Sequence, residues 1–159
     1  MINLNSKIKT LLICIAIPLI AGALSAFLTR ESMAVFQQIS KPALSPPAIV
    51  FPVVWTILYT LMGIASYLVF ASANNTEYID DAILFYAFQL SVNFFWSVFF
   101  FNYQWYLFSF GWLVLLWLLI IITILLFGQI SKPAAFLMIP YLIWVTFAGY
   151  LNFSIYLLN

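Results

Sequence analysis

All nine charged side chains of this 159-residue chain lie outside its five long apolar runs, which cover residues 10–29, 47–73, 82–101, 105–127 and 134–157. The charged residues are Lys7, Lys9, Arg30, Glu31, Lys41, Glu77, Asp80, Asp81 and Lys132. A helix needs roughly 20 apolar residues to cross the hydrocarbon core of a bilayer, and a charge at its centre costs roughly 2.5–3.5 kcal/mol. The sequence therefore predicts an all-α membrane protein, a single domain over residues 1–159 that forms a five-transmembrane-helix bundle.

The first apolar run permits two interpretations. Two lysines precede it, and the small residues of Ala23-Leu24-Ser25-Ala26 resemble the cleavage site of a signal peptide. We interpret the run instead as a retained span, because apolar residues continue to Leu28 and because Gly22 and Ala26 are spaced for close helix packing. Five spans place the two termini on opposite sides of the membrane. We call the side of the N-terminus side A and the other side B; the positive residues are too evenly divided to orient the bundle.

The longest connection between two apolar runs is residues 30–46, on side B. It leads into the run Lys41-Pro42-Ala43-Leu44-Ser45-Pro46-Pro47. Prolines restrict the residues before them to extended conformations and suit the start of a helix. We therefore expect the 30–46 segment to form a partly ordered cap over the side B end of the bundle.

The third apolar run carries two amide side chains near its middle. Gln89 and Asn93 are four residues apart and share one face of a helix, which Trp96 continues. An amide in hydrocarbon must face protein, water or a ligand to find hydrogen-bond partners. Two interpretations stay open at this point: the amides hold neighbouring helices together, or they line a pocket.

Aromatic and small residues of the second and fifth runs reach the same depth as these amides. Trp55 and Tyr59 lie on one face of the second run, and Trp144 and Ala148 on one face of the fifth. Counted from the side B ends of their runs, Trp55, Asn93 and Ala148 all lie roughly 12–14 Å deep. Aromatic walls, a small residue that leaves space and a few orienting amides are typical of an apolar ligand pocket. The pattern predicts such a pocket between helices two, three and five, beneath the 30–46 segment.

The composition argues against several other kinds of site. The chain has no histidine and a single cysteine, Cys14, which makes a tightly held transition metal or a metal cofactor unexpected. No acid lies inside an apolar run to activate a nucleophile, and the glycine signatures of phosphate sites are missing. A net charge of +1 without a basic block argues against nucleic acid as a partner. These observations favour a membrane receptor or sensor for an apolar ligand.

Three segments of the chain resemble the TspO/MBR family, the tryptophan-rich sensory proteins related to the translocator protein. The first runs from Lys41-Pro42 through Pro46-Pro47 to Phe51, Val54-Trp55-Thr56, Leu58-Tyr59 and Leu61-Met62-Gly63. The second contains Gln89, Asn93, Trp96-Ser97 and Phe99-Phe100. The third contains Pro140-Tyr141-Leu142, Trp144-Val145, Phe147-Ala148 and Tyr150-Leu151-Asn152-Phe153-Ser154-Ile155. The combination covers most of residues 41–159.

The resemblance implies five helices, frequent homodimers and a pocket for tetrapyrroles such as porphyrins. The matching pocket positions are Trp55, Asn93, Trp96, Trp144 and Ala148. The resemblance also raises two alternatives to a receptor. One is tryptophan-assisted, light- or oxygen-dependent degradation of the porphyrin, with Trp55 and Trp144 as participants. The other is transport of tetrapyrroles or sterols across a bacterial or organellar membrane.

Two details of the sequence concern possible partners, namely a second copy of the chain and sterols. Gly22 and Ala26 in the first run, or Ala87 and Ser91 in the third, are small residues that would let two chains pair closely. The sterol motif of the family ends in a basic residue after its tyrosine, whereas no lysine or arginine follows Tyr150. We therefore expect homodimers through one of the two stripes, and weak sterol affinity.

Overall fold

The structure, a computed structural model, describes residues 4–72 and 78–159. Five of its helices are long and apolar enough to cross a membrane, which confirms the predicted five-helix membrane architecture. The α-helices are α1 (Leu4–Thr29), α2 (Met33–Gln38), α3 (Val50–Ser72), α4 (Ile79–Ser97), α5 (Tyr106–Ile130) and α6 (Lys132–Leu158). A 3-10 turn, Arg30–Ser32, joins α1 to the short α2, and a π-helical turn, Val98–Asn102, extends α4.

Several charged residues lie inside helix ends rather than in the tails and connections where the sequence places them. Lys132 begins α6, and Asp80 and Asp81 occupy the first turn of α4. Carboxylates are favourable at a helix N-terminus, where the unpaired N–H groups of the first turn carry partial positive charge. The long lysine side chain reaches the membrane surface from the first turn of α6. Glu77 lies outside the described residues.

The five long helices form a closed ring. Its order is α1, α3, α6, α5 and α4, and α4 packs back against α1. Apolar side chains fill the centre of the ring, and Met62, Ile120, Met138 and Tyr141 are almost completely buried there. This ring places α1, α3, α4 and α6 around a common space on side B.

Two glycines allow α1 and α3 to approach closely. A Cβ atom on Gly63 would overlap the backbone of Ile15 and lie 2.7 Å from the carbonyl oxygen of Cys14. A Cβ atom on Gly22 would overlap the ring of Tyr59. Gly22 thus packs against its own bundle in this structure, whereas Ala26 of the same stripe is exposed, and pairing of two chains through this stripe stays a prediction. Ala26 also lines a cavity in the same bundle.

The alternative stripe for pairing lies on the outer surface of α4. Ala87 and Ser91 are both exposed, and the large apolar side chains of Leu84, Phe88 and Phe95 surround them. Pairing of two chains through this face stays a prediction.

An odd number of spans carries a direct prediction about topology. Reporter fusions at the two ends of the chain should give opposite signals, because one end lies on side A and the other on side B. Compartment-specific reporters at Asn3 and Asn159 measure this. Equal signals would contradict the five-span topology, and cleavage of the first run near Ala26 would produce that result.

Candidate ligand site

A cavity of about 610 Å³ opens within the side B half of the ring, beneath the 30–46 segment. Its volume lies within the roughly 300–1,000 Å³ typical of pockets for small molecules. Four long helices, α2 and the connections line it with the following residues: Leu19, Gly22, Ala23, Ser25, Ala26, Thr29, Met33, Phe36, Ser45, Ala48, Phe51, Pro52, Trp55, Thr56, Tyr59, Trp96, Ser97, Phe100, Phe101, Ala148, Leu151, Asn152 and Ile155. The lining is therefore mostly apolar and aromatic.

Four of the seven residues singled out in the sequence line this cavity: Trp55, Tyr59, Trp96 and Ala148. The rings of Trp55 and Tyr59 stack with centroids 5.3 Å apart, and those of Trp96 and Phe100 stack at the same separation. Stacked aromatic pairs are worth about 0.5–1.5 kcal/mol beyond their buried area. The cavity thus has two pre-arranged aromatic walls.

Asn152 holds one of these walls in place. The indole Nε1 of Trp96 donates a hydrogen bond to Oδ1 of Asn152 at 3.1 Å. The amide Nδ2 of Asn152 in turn donates to the carbonyl oxygen of Tyr106 at 2.7 Å. This chain links α4, α6 and the start of α5, so the orientation of the Trp96 ring is fixed by three helices.

Gln89 and Asn93 lie deeper than the cavity and do not line it. The Tyr59 hydroxyl donates to Oδ1 of Asn93 at 3.0 Å, and Nδ2 of Asn93 donates to the Tyr141 hydroxyl at 2.6 Å. The Tyr141 hydroxyl donates to Oε1 of Gln89 at 3.0 Å. All four side chains are buried, so this chain of hydrogen bonds joins α3, α4 and α6. Of the two interpretations of the amides, the structure matches the one in which they hold helices together.

Trp144 also lies outside the lining of the cavity. Its ring packs edge-on against Phe51, with centroids 6.0 Å apart, and in a tilted arrangement against Phe147, with centroids 5.6 Å apart. Because Phe51 lines the cavity, Trp144 forms a layer behind the wall instead of the wall itself. Its buried Nε1 has no hydrogen-bond partner among the residues that the structure describes.

The first helix is a wall of the cavity that the sequence did not predict. The expected pocket lay between α3, α4 and α6, whereas α1 also contributes Gly22, Ala23 and Ala26. The signal was present as a cluster of small residues, which we interpreted as a surface for chain pairing. Small side chains on α1 instead leave room inside its own bundle.

The 30–46 segment covers the side B end of the cavity and is anchored at its beginning. The Ser32 hydroxyl donates to Oδ1 of Asn102 at 2.7 Å, and Nδ2 of Asn102 donates to the carbonyl oxygen of Leu28 at 3.1 Å. Further along, the Phe36 ring packs edge-on against Phe101 with centroids 5.1 Å apart. Phe36 thus forms the roof of the cavity.

A second anchor fixes the other end of this segment. The backbone N–H of Ser40 donates to Oδ1 of Asn159, and Nδ2 of Asn159 donates to the carbonyl oxygen of Ser40, both at 3.0 Å. Lys41 follows immediately, with its ammonium group 4.9 Å from the centroid of the Phe36 ring and 3.1 Å from the carbonyl oxygen of Gln37. The segment therefore carries a cation directly above the roof.

The electrostatic character of the cavity is close to neutral. Among the residues that the structure describes, no charged side chain lines it. The buried polar atoms without a partner in that part of the chain belong to Tyr86, Gln89, Ser109 and Trp144, and none of these residues lines the cavity. The arrangement suits an apolar ligand with flat faces, because it offers aromatic surface and, among the described residues, no charged side chain.

The chain belongs to the TspO/MBR family, which matches residues 14–158. It is 40% identical over 157 residues to the tryptophan-rich protein TspO of Chlorobaculum tepidum, covering 98% of this chain and 99% of that protein. It is 37% identical over 139 residues to protein CrtK of Rhodobacter capsulatus, covering 87% of this chain and 86% of that protein. It is 32% identical over 148 residues to the translocator protein of Bos taurus, covering 88% of this chain and 84% of that protein. The chain is therefore an integral, multi-pass membrane protein from a family of membrane sensors and translocators.

Proposed function

We propose that this protein is a membrane receptor that binds a planar apolar ligand, a porphyrin, in the cavity beneath the 30–46 segment. The observation that carries the proposal is the pair of aromatic walls around a space of about 610 Å³. A flat macrocycle buries both of its faces when it lies between aromatic rings, and that burial is the main favourable contribution to its affinity. Ala148 contributes by its small size, because a larger side chain there would occupy the space of the ring.

The carboxylate groups of a porphyrin need a different environment from its ring. Burying a charge without a partner is costly, and the described lining of the cavity offers none. The cations nearest to the side B end of the site are Lys41 in the roof and Arg30, whose guanidinium lies 4.2 Å from the centroid of the Phe27 ring. We infer that the carboxylates point towards side B, where water and Lys41 stabilise them.

Titration of the purified protein with a porphyrin tests the proposal. Quenching of tryptophan fluorescence should saturate at one porphyrin per chain. Quenching that rises in proportion to porphyrin without saturation would contradict the proposal, because it would show partition into the detergent or lipid alone.

The role of Lys41 carries a separate prediction. Lys41→Gln should weaken binding of a porphyrin dicarboxylic acid by about two- to fivefold, the effect of an exposed ion pair worth up to about 1 kcal/mol. Binding of the dimethyl ester of the same porphyrin should not change. Lys9→Gln, which removes a cation on side A, is the matched control. An equal loss for acid and ester would contradict the placement of the carboxylates.

Degradation of the bound porphyrin is the second candidate function, and one observation favours it. Trp55 lines the cavity, so its indole would contact the bound ring directly. Trp144 would lie behind Phe51 and would not touch the ligand. Illumination of the complex in air separates the two functions, since degradation gives a product with a new absorption spectrum and binding alone does not. Trp55→Phe should suppress that product more than Trp144→Phe.

A further inference from the structure

We propose that the ligand passes between the bilayer and the cavity through a lateral opening between α1 and α3. We call the gap bounded by Ala23 and Ala26 on α1 and by Pro52 and Thr56 on α3 the α1/α3 opening. The inference rests on the proposed function, because it concerns the route of the same ligand to the same site. It also defines the ligand further, as a compound dissolved in the membrane.

The two helices are in close contact below this opening. Gly63 of α3 touches the backbone of α1 at Ile15, and Gly22 of α1 touches the ring of Tyr59. These contacts close the seam between α1 and α3 from the middle of the membrane towards side A. The Tyr59 ring forms the floor of the cavity at the upper end of the closed part.

Above Tyr59 the seam is open. Ala23, Ala26, Pro52 and Thr56 all line the cavity, and all four are exposed on the surface of the protein. We infer that these four residues form the rim at which the cavity meets the lipid. Three of the four side chains are alanine or proline, and the Thr56 hydroxyl already donates to the carbonyl oxygen of Pro52 at 2.8 Å. The rim is therefore small and presents no free hydroxyl group.

The opening faces lipid and not water. Its neighbours on the outer side of α1, Leu24 and Phe27, are 53% and 59% exposed, as expected for a surface in contact with acyl chains. Ala26 and Ala23 precede the end of α1 at Thr29 by about 5 and 9 Å along the helix axis. Amphipathic molecules in a bilayer bury their apolar part about 5–10 Å below the headgroups. A porphyrin in the membrane would therefore have its ring at the level of the opening.

The 30–46 segment covers the alternative route, from the water on side B, and leaves only the small side chain of Ala48 both lining the cavity and exposed beside it. Asn102 fastens the segment at Ser32, and Asn159 fastens it at Ser40 through two hydrogen bonds. Opening this route requires these bonds and the Phe36 contact with Phe101 to break. The lateral route breaks none of these contacts.

Rates of porphyrin binding to the full chain in lipid vesicles distinguish the two routes. A porphyrin dimethyl ester is mixed with the vesicles, and tryptophan quenching gives the association rate. Dilution into an excess of protein-free vesicles gives the dissociation rate. Ala23→Phe and Thr56→Phe each narrow the opening from one side, and Ala71→Phe places the same ring on an exposed position of α3 away from it.

A third variant locks the roof. Ser32→Cys with Asn102→Cys, in a chain where Cys14 is replaced by alanine, joins two positions whose side chains are already in contact. Oxidation then fixes the start of the 30–46 segment, beside the Phe36 roof, and reduction releases it. The comparison of oxidised with reduced protein uses one preparation as its own control.

The lateral route predicts that Ala23→Phe and Thr56→Phe slow association and dissociation together by about tenfold. A side chain that only filled the cavity would weaken binding through faster dissociation, so slower dissociation reports the passage itself. Ala71→Phe and oxidation of the locked variant should leave both rates unchanged. Slower rates on oxidation, with no difference between Ala23→Phe and Ala71→Phe, would overturn the inference and assign the passage to the roof. If the unaltered chain shows no saturable quenching, the proposed function itself has failed.

Discussion

Replacing Gly63 with leucine is expected to destabilise the bundle by more than about 3 kcal/mol, beyond the usual cost of overpacking a core. The neighbouring atoms are the backbone of Ile15 and the carbonyl oxygen of Cys14, which cannot rotate away as a flexible side chain would. A side chain at this position must therefore push α1 away from α3. Because α1 is a wall of the cavity, ligand binding should be lost along with stability.

Thermal unfolding in mild detergent, followed by circular dichroism, measures this effect. Gly111→Leu is the matched control, since a Cβ atom on Gly111 would meet nothing within 4 Å. The same substitution there removes a glycine from an exposed position of α5, so stability should stay the same or rise slightly. Equal melting temperatures for the two variants would contradict the close crossing of α1 and α3.

The second large effect is a loss of affinity for the porphyrin. Ala148→Leu should weaken porphyrin binding at least about tenfold, which corresponds to about 1.4 kcal/mol. Ala148 lines the cavity, so the added carbon atoms enter the space of the macrocycle. The fold should survive because the cavity has room for the leucine when no ligand is bound.

Titration of tryptophan quenching, with the melting temperature of each variant recorded alongside, measures this loss. Ala71→Leu adds the same side chain at an exposed position of α3 and should bind porphyrin like the unaltered protein. An unchanged affinity in Ala148→Leu would place the ligand outside the cavity, on the lipid-facing aromatic surface.

The fold follows from the sequence because the bilayer imposes a simple rule on it. In hydrocarbon, backbone N–H and C=O groups must find their hydrogen-bond partners within the protein. An apolar run of about 20 residues therefore has few alternatives to a helix. The positions of Lys132, Asp80 and Asp81 inside helix ends show the limit of that rule. Charged residues are excluded from the middle of a span, but their positions do not fix the residue at which a helix begins.

The site follows from the sequence only in part, because depth and helix face do not determine which neighbour a side chain meets. Trp144 and Ala148 share a face of α6, yet only Ala148 lines the cavity, whereas Trp144 packs against Phe51, which lines it. Likewise, the Asn93 amide forms hydrogen bonds with the hydroxyl groups of Tyr59 and Tyr141, and these bonds depend on the packing of three helices.

The wall formed by α1 was missed for a related reason. A small residue in a membrane helix permits close approach of any neighbour, whether that neighbour is a second chain, another helix of the same bundle or a ligand. The spacing of Gly22 and Ala26 is the same in each case. Only the ring order of the helices, in which α1 lies between α3 and α4, assigns Gly22 to Tyr59 and Ala26 to the cavity.

The most direct test of a porphyrin in this cavity is the ring-current shift that a diamagnetic porphyrin causes in the methyl resonances of the protein. The shift falls steeply with distance from the macrocycle, so it reports location and not only affinity. Met33 and Ala148 line the cavity, whereas Met138 lies about 15 Å from Ala148 along α6. We expect the methyl signals of Met33 and Ala148 to shift in proportion to bound porphyrin, and that of Met138 to stay unchanged. Shifts confined to exposed methyl groups such as that of Ala87, with Met33 and Ala148 unmoved, would contradict the account.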